Sequence, residues 1–330
     1  MRVRRWLKRI GIGAVALAAF GLATERLLEV RDARRFPPPG KMVRIGNGRA
    51  LHLLCRGAGG PSIVVEQGAA EPAILWRSIQ DKAAAFSRIC LYDRAGYGWS
   101  PPAPAFQSID ERADDLHRAL LAAGVPGPYI LVAHSYGGLV AHAFARRHPG
   151  DTAGMVMTDA IEESIAFHPV YLDFIAKSRI MVPVARVAAA LGIVRLVAAL
   201  VGDERKPGLP DSASQAAARA QSVRPAFFTA LLGDLESIED ASRRYPLPRG
   251  MGPLPDIPLL VITHGRSFPG PFAPLEPIWL PGQKRQAALS PRGSLEVARN
   301  SNHMIAMDEP DLVVDALRRM TEAVRPPPHP

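Results

Sequence analysis

Ser135 stands in the run Ala133-His134-Ser135-Tyr136-Gly137-Gly138, between an apolar stretch (Tyr129 to Val132) and a helix-spaced segment from Leu139 to Arg147. A serine hydroxyl is a poor nucleophile near neutral pH. It needs exposure, a neighbouring base and donors for the oxyanion it creates. A strand, a tight turn and a helix supply two of these: the turn lifts Ser135 above the sheet edge, and the helix start leaves the Tyr136 N–H free to donate. The ordinary alternative is a serine that merely caps a helix. The base is expected far along the chain, at His303 in Ser301-Asn302-His303-Met304-Ile305. That segment follows a strand-like run (294–298) and precedes a helix with Asp308, Glu309 and Pro310 at its start and an apolar stripe at Leu312, Val313, Leu317 and Met320. A histidine in the loop after the last strand can swing back over the serine as general base.

The elements that must position these groups alternate. Apolar runs at Ser62–Glu66, Arg88–Tyr92, Tyr129–Val132, Ala153–Thr158 and Pro258–Thr263 read as buried parallel strands. Amphipathic stretches at Ile74–Phe86, Ile109–Ala123 and Leu139–Arg147 read as the helices between them. Single strands separated by helices predict an α/β fold with a doubly wound sheet, whose reacting groups lie at the carboxyl ends of strands.

With these motifs in view the chain resembles the α/β-hydrolase superfamily. The matching segments are Glu66-Gln67-Gly68-Ala69-Ala70, Tyr92-Asp93-Arg94-Ala95-Gly96-Tyr97-Gly98-Trp99-Ser100, the Ser135 turn with Ala133 in the place of the usual first glycine, and Asn302-His303. The resemblance covers roughly residues 41–325. It implies an eight-stranded, mostly parallel sheet with helices on both faces and a helical cap inserted after the sixth strand. It also implies a second oxyanion donor, the N–H of Ala69, after the Gln67-Gly68 pair where histidine-glycine is commoner. Loss of one such donor typically costs about 10²–10³ in turnover.

For the acid that orients His303, the resemblance offers two places. One is the end of the sixth strand, where Asp159 stands; the other is the loop after the seventh, whose acidic residue is Glu276 in a proline-rich stretch. Asp159 is favoured, because a strand end holds a carboxylate more rigidly than a loop, with Glu276 kept open. Asp93 and Arg94 are read as braces for the Gly96–Gly98 turn rather than as catalytic groups. His134, His142, Trp76 and Trp99 are read as packed residues, with the two tryptophans as further candidates to line the pocket.

Composition bounds the rest. Hydrophobic residues make up 48% and charged residues 22%, which fits a globular chain with an apolar extension. The formal net charge is +9, but the first 35 residues hold nine basic and three acidic side chains, so only +3 remains for the other 295. The basic excess therefore belongs to the terminus, and no nucleic-acid partner is expected. Five basic residues within the first nine are followed by Ile10–Ala23 without a charge. Fourteen helical residues reach roughly 21 Å, short of a bilayer core of about 30 Å, so flanking Lys8, Arg9 and Arg26 would have to snorkel. A membrane anchor is favoured over a signal peptide cleaved near Gly21-Leu22-Ala23, with the basic end cytoplasmic and the catalytic domain outside.

The expected organisation is an anchor or signal segment (1–30), a proline-bearing linker (31–40), core (41–160), cap (161–250) and core again (251–330). The linker would hold the domain off the membrane. The apolar cap stretch Met181–Val201 and a further helix around 226–241 would cover the Ser135 pocket. The family's strand order would make the strands of Cys55 and Cys90 antiparallel neighbours, so a disulfide between them is one expectation for an oxidising compartment. No metal-ligand spacing and no glycine-rich phosphate loop appears, so no cofactor is expected. The reading is a serine hydrolase: Ser135 attacks a small, hydrophobic acyl substrate, first of all a carboxylic ester; amides, lactones and C–C bonds beside a ketone stay open. His303 moves the proton, Asp159 orients it, and Tyr136 and Ala69 bind the oxyanion. The alternative from another class is a membrane-tethered binding protein that keeps the fold without turnover.

Overall fold

In a computed structural model of the chain, which describes residues 2–201, 208–247 and 249–325, the elements follow one another in α/β order. A long helix, α1 (Arg2–Arg35), precedes β1 (Lys41–Gly46), β2 (Arg49–Arg56), β3 (Ser62–Glu66), α2 (Arg77–Ala83), β4 (Ile89–Tyr92), α3 (Ile109–Ala122), β5 (Tyr129–His134), α4 (Gly137–Arg147) and β6 (Thr152–Thr158). The inserted cap then contributes α5 (Glu163–Ala166), α6 (Pro169–Ala190), α7 (Ile193–Leu200), α8 (Ser212–Ser222) and α9 (Pro225–Arg244). The core resumes with β7 (Leu259–His264), α10 (Glu276–Ala287), β8 (Gly293–Ala298), α11 (Ile305–Asp308) and α12 (Pro310–Val324).

The eight strands lie in the order β1-β2-β4-β3-β5-β6-β7-β8. β2 is antiparallel to both its neighbours and every other pair is parallel. Parallel strands between helices are buried on both faces, so β3 and β5 are wholly buried and apolar apart from Ser62 and their last residues. Their side chains still alternate. Val64, Leu131 and Met155 meet α3 and α4 on one face, whereas Ile63, Ile130 and Val156 meet α2 and α12 on the other.

Cys55 and Cys90 are register partners on β2 and β4 and form a disulfide. Asp93 braces the turn as expected, binding His52 Nδ1 at 2.9 Å and the Trp99 N–H at 3.1 Å.

Two expectations change. The linker does not begin at Arg31, because 31–35 is the last turn of α1. That end is held: Arg195 of α7 binds Glu25 at 2.7 Å and Asp32 at 2.6 Å, and Trp99 Nε1 donates to the Phe36 carbonyl at 2.9 Å. The second concerns the cap stretch 181–201, much of which does not pack on the core; Met181, Val184, Leu196 and Leu200 are exposed. α1 is the described helix that by itself is long and apolar enough to cross a membrane.

Candidate active site

Five neighbouring strands end on one edge of the sheet, and each delivers one part of the site. Gln67–Ala70 follows β3, Ser135 follows β5, Asp159 follows β6, His264 closes β7, and His303 lies in the loop beyond β8. His134 and Thr158 are register partners, so Ser135 and Asp159 are the next residues out on adjacent strands. Both have positive φ, 50° and 49°. That region is uncommon for residues with a Cβ and persists only where the surroundings hold it. Here the Ile161 N–H donates to the Ser135 carbonyl at 2.8 Å and the Asp159 N–H to the Ile262 carbonyl at 2.7 Å. Gly138 permits this approach, since a Cβ there would lie 2.4 Å from the Ile161 carbonyl oxygen.

Asp159 is fully buried and saturated with donors. Its Oδ2 lies 2.6 Å from His303 Nδ1 and 2.7 Å from His264 Nδ1, while its Oδ1 accepts from Trp279 Nε1 at 2.8 Å and the His264 N–H at 3.1 Å. Burial opposes its charge, but the bonds from His264 and His303 hold the carboxyl well below the usual carboxylate range. Glu276 lies one step further out. It accepts from the Phe268 N–H at 2.9 Å and stands 3.4 Å from His264 Nε2. Of the two candidate acids, the structure brings Asp159 and not Glu276 to His303.

A second histidine sits behind the first. His134 Nδ1 lies 2.8 Å from Glu71 Oε2 and its Nε2 lies 2.9 Å from the His303 carbonyl oxygen. Both partners can only accept, so both ring nitrogens carry protons and His134 is an imidazolium. Burial pulls its pKa down, but the Glu71 carboxylate more than offsets this and raises it. Glu71 also accepts from the Gly68 N–H at 2.7 Å and Trp76 Nε1 at 2.9 Å. The His134 and His303 rings are 4.7 Å apart. Burial, and the nearby His134 charge, therefore lower the His303 pKa below the ordinary histidine value despite the Asp159 bond.

The turn after β3 is held from below. Buried Arg94 donates to the Gln67 carbonyl at 2.6 Å and the Gly68 carbonyl at 2.8 Å, and pairs with Glu66 at 2.6 Å and Asp234 of α9 at 3.0 Å. Arg94 thus braces this loop, as well as tying the cap to the core. Gly68 abuts the serine, since a Cβ there would lie 3.2 Å from Ser135 Cβ. Ala69 follows directly, and among the described residues neither its N–H nor that of Tyr136 is engaged. The Tyr136 hydroxyl is bound to Ser237 of α9 at 2.7 Å, a further tie to the cap.

An apolar wall leads away from His303. The Phe268 ring lies 5.3 Å from it at a tilt, Phe272 lies 6.4 Å further on, and Phe174 of α6 lies 5.2 Å beyond. Trp76 and Trp99 are spent elsewhere, on Glu71 and on the Phe36 carbonyl. His142 is packed as expected, against Glu163 at 2.9 Å. Residue types and spacing alone do not single out His264, Glu71 and Trp279, and they present His134 as a packed residue. The available signals are a histidine closing an apolar strand (His264) and a charged residue three after the strand-end glycine Gly68 (Glu71).

Comparison with known proteins agrees with this architecture. The Alpha/beta hydrolase family model matches residues 51–316. An uncharacterised protein of Schizosaccharomyces pombe is 30% identical over 240 residues, which is 70% of this chain and 41% of that protein. The chain spans less than half the length of the curated relatives it matches. Among solved structures, an esterase from Thermogutta terrifontis is 21% identical with a TM-score of 0.61, covering 87% of this chain and 98% of its own. The Cif epoxide hydrolase from Acinetobacter nosocomialis is 14% identical with a TM-score of 0.66, covering 91% of this chain and 96% of its own. The chain belongs to the alpha/beta hydrolase family.

Proposed function

We propose that this member of the alpha/beta hydrolase family is a serine hydrolase that cleaves hydrophobic carboxylic esters through an acyl-enzyme, on a catalytic domain anchored to a membrane by α1. The observation that carries the reading is the 2.6 Å approach of buried Asp159 to His303 Nδ1, beside the strand that presents Ser135. An ionised carboxylate accepts only, so Nδ1 keeps its proton and Nε2 is the nitrogen left to act as base. Ser135 Oγ adds to the ester carbonyl carbon while His303 Nε2 takes its proton. The oxyanion is met by the Tyr136 and Ala69 N–H groups. As the C–O bond to the alcohol breaks, His303 returns the proton to the leaving oxygen. Water, deprotonated by His303, then adds to the acyl carbon, and Ser135 leaves with the proton to give the free acid. The Phe268–Phe272–Phe174 wall favours an apolar acyl or alkyl group over a charged one.

An aspartate-nucleophile reaction of the epoxide-opening kind is disfavoured, because the turn carries serine. The test is fluorophosphonate labelling of the full chain in detergent, read by intact mass. One adduct on wild type, absent in Ser135→Ala and much reduced in His303→Ala, is the expected result. A folded wild-type chain that takes no label and turns over no nitrophenyl ester of any acyl length would sink the reading.

A further inference from the structure

α7 is amphipathic in the inverted sense. Its large apolar residues Ile193, Leu196, Val197 and Leu200, at helical spacings of three, four and seven, are exposed, and Leu200 is 79% exposed. Its polar residue, Arg195, faces inward onto Glu25 and Asp32 of α1. α6 changes character along its length in the same direction. Its first half exposes Asp173 and Lys177 beside Val170, its second half Ile180, Met181, Val184 and Val187 with one charge, Arg186, whose long side chain can reach the headgroups. At its end the chain bends by 89° into α7.

The position of this corner on α1 decides what it meets. The charge-free run of α1 is Ile10–Ala23, and its first part is exposed all round. From Ala18 onward one face turns inward at Gly21, Glu25, Leu28 and Asp32. A Cβ on Gly21 would lie 2.7 Å from the carbonyl oxygen of Leu191, the residue at the α6–α7 corner. Gly21 is within about one helical turn of the end of the apolar run. A bilayer that takes up Ile10–Ala23 therefore reaches the corner, and a helix with one apolar stripe at that depth sits in the interface.

We propose that the second half of α6 and the stripe of α7 form a second membrane contact, lying in the bilayer interface beside α1. The inference rests on the reading of α1 as a membrane anchor. A bilayer is the occupant that fits, because the stripe is continuous with the exposed apolar surface of α1; a second copy of the chain would have to cover both. Docked in this way, α6 runs from the bilayer to Phe174 on the site wall.

The test uses the full chain reconstituted in phosphatidylcholine vesicles. Both native cysteines are in the disulfide, so an introduced thiol carries an environment-sensitive fluorophore alone. Labels at Leu196→Cys and Leu200→Cys are compared with Val15→Cys on α1 and Phe106→Cys on an exposed core loop, using nitroxide-bearing lipids as quenchers. The expected result is quenching at 196 and 200 several-fold above that at 106 and comparable with that at 15. Quenching at 15, with 196 and 200 behaving like 106, overturns the second contact and leaves the anchor standing. No quenching at 15 removes the anchor reading and the contact with it. Probes at 196 and 200 shielded without lipid quenching, with energy transfer between copies, mean that a second copy covers the stripe, which also overturns the proposal. Fluorophosphonate labelling of the same samples reports separately on the site and on folding.

Discussion

The carboxyl edge of the sheet and the α6–α7 corner treat their side chains in opposite ways. At the sheet edge, charged groups are buried: Asp159 is 0% exposed, and His134, Glu71 and Arg94 are nearly so. Each is matched by partners fixed from at least two elements, which is the condition under which a buried charge is tolerable. At the corner, apolar groups face outward while Arg195 of α7 is turned in and Arg186 of α6 is the one exposed charge among them. The first region is complete within the chain. The second has the wrong polarity for water, and its surface becomes favourable only against a non-aqueous partner. The difference teaches that the candidate site is ordered by contacts within the fold, whereas the corner presents apolar side chains that no contact within the described residues covers.

The sharpest test of that contrast is Ser135→Ala, which should lower ester turnover by about 10⁶ while leaving the circular dichroism spectrum unchanged. Asp159→Asn should cost on the order of 10⁴ in kcat, and Glu276→Gln no more than about threefold, since Glu276 reaches His264 and not His303. Equal losses in the two variants would mean that the acid is shared, and the comparison between Asp159 at a strand end and Glu276, which the structure places at the start of α10 rather than in a loop, would fail.

Arg195 ties the corner to α1. Arg195→Ala leaves Glu25 of α1 buried without its cation and Asp32 with only Arg31 at 3.3 Å, and should destabilise the α1–cap contact by up to about 3 kcal/mol. The readout is faster proteolysis within residues 24–40 with fluorophosphonate labelling retained. Uniform loss of both would show that the corner and the site fold as one unit.

pH separates the histidines. His303 must be neutral to act as base, and burial with the His134 charge lowers its pKa, so the acid limb of kcat/KM should fall below about 6.5. His134→Gln should move that limb upward, because the neighbouring cation is gone. The His134 pKa is raised in the folded chain. Its contribution to stability is therefore fully present below about 6.5 and is lost as pH rises through its folded value. The Tm gap between wild type and His134→Gln should accordingly shrink on the alkaline side. The smallest expected effect lies at the corner: Leu200→Gln should change stability in detergent by no more than about 0.5 kcal/mol, as befits an apolar side chain that the fold does not use. A loss of several kcal/mol would mean that Leu200 is packed after all.

Much of this was legible in the residues. The strand, turn and helix around Ser135 are local features, and a period of two or of 3.6 survives in any tertiary setting, so sheet, helices and nucleophile turn could be read in order along the chain. The charge-free run Ile10–Ala23 is likewise a local property. The choice between Asp159 and Glu276 was not local, because it depends on which carboxylate the last loop meets once β6, β7 and β8 lie side by side. His264 and Trp279 complete Asp159 from 105 and 120 residues away. Arg195 reaches Glu25 across 170 residues, a pairing that local pattern cannot reveal, so by sequence the last turn of α1 looks like linker and α7 like a helix covering the pocket. Propensity and hydrophobic period act between near neighbours, so the sequence by itself determined the elements, the superfamily resemblance and the Ser135 turn. The acid beside His303, the imidazolium behind it and the docking of α1 on the cap were decided only by the tertiary structure. They arise from pairings between charged groups that the chain brings together after its strands have aligned.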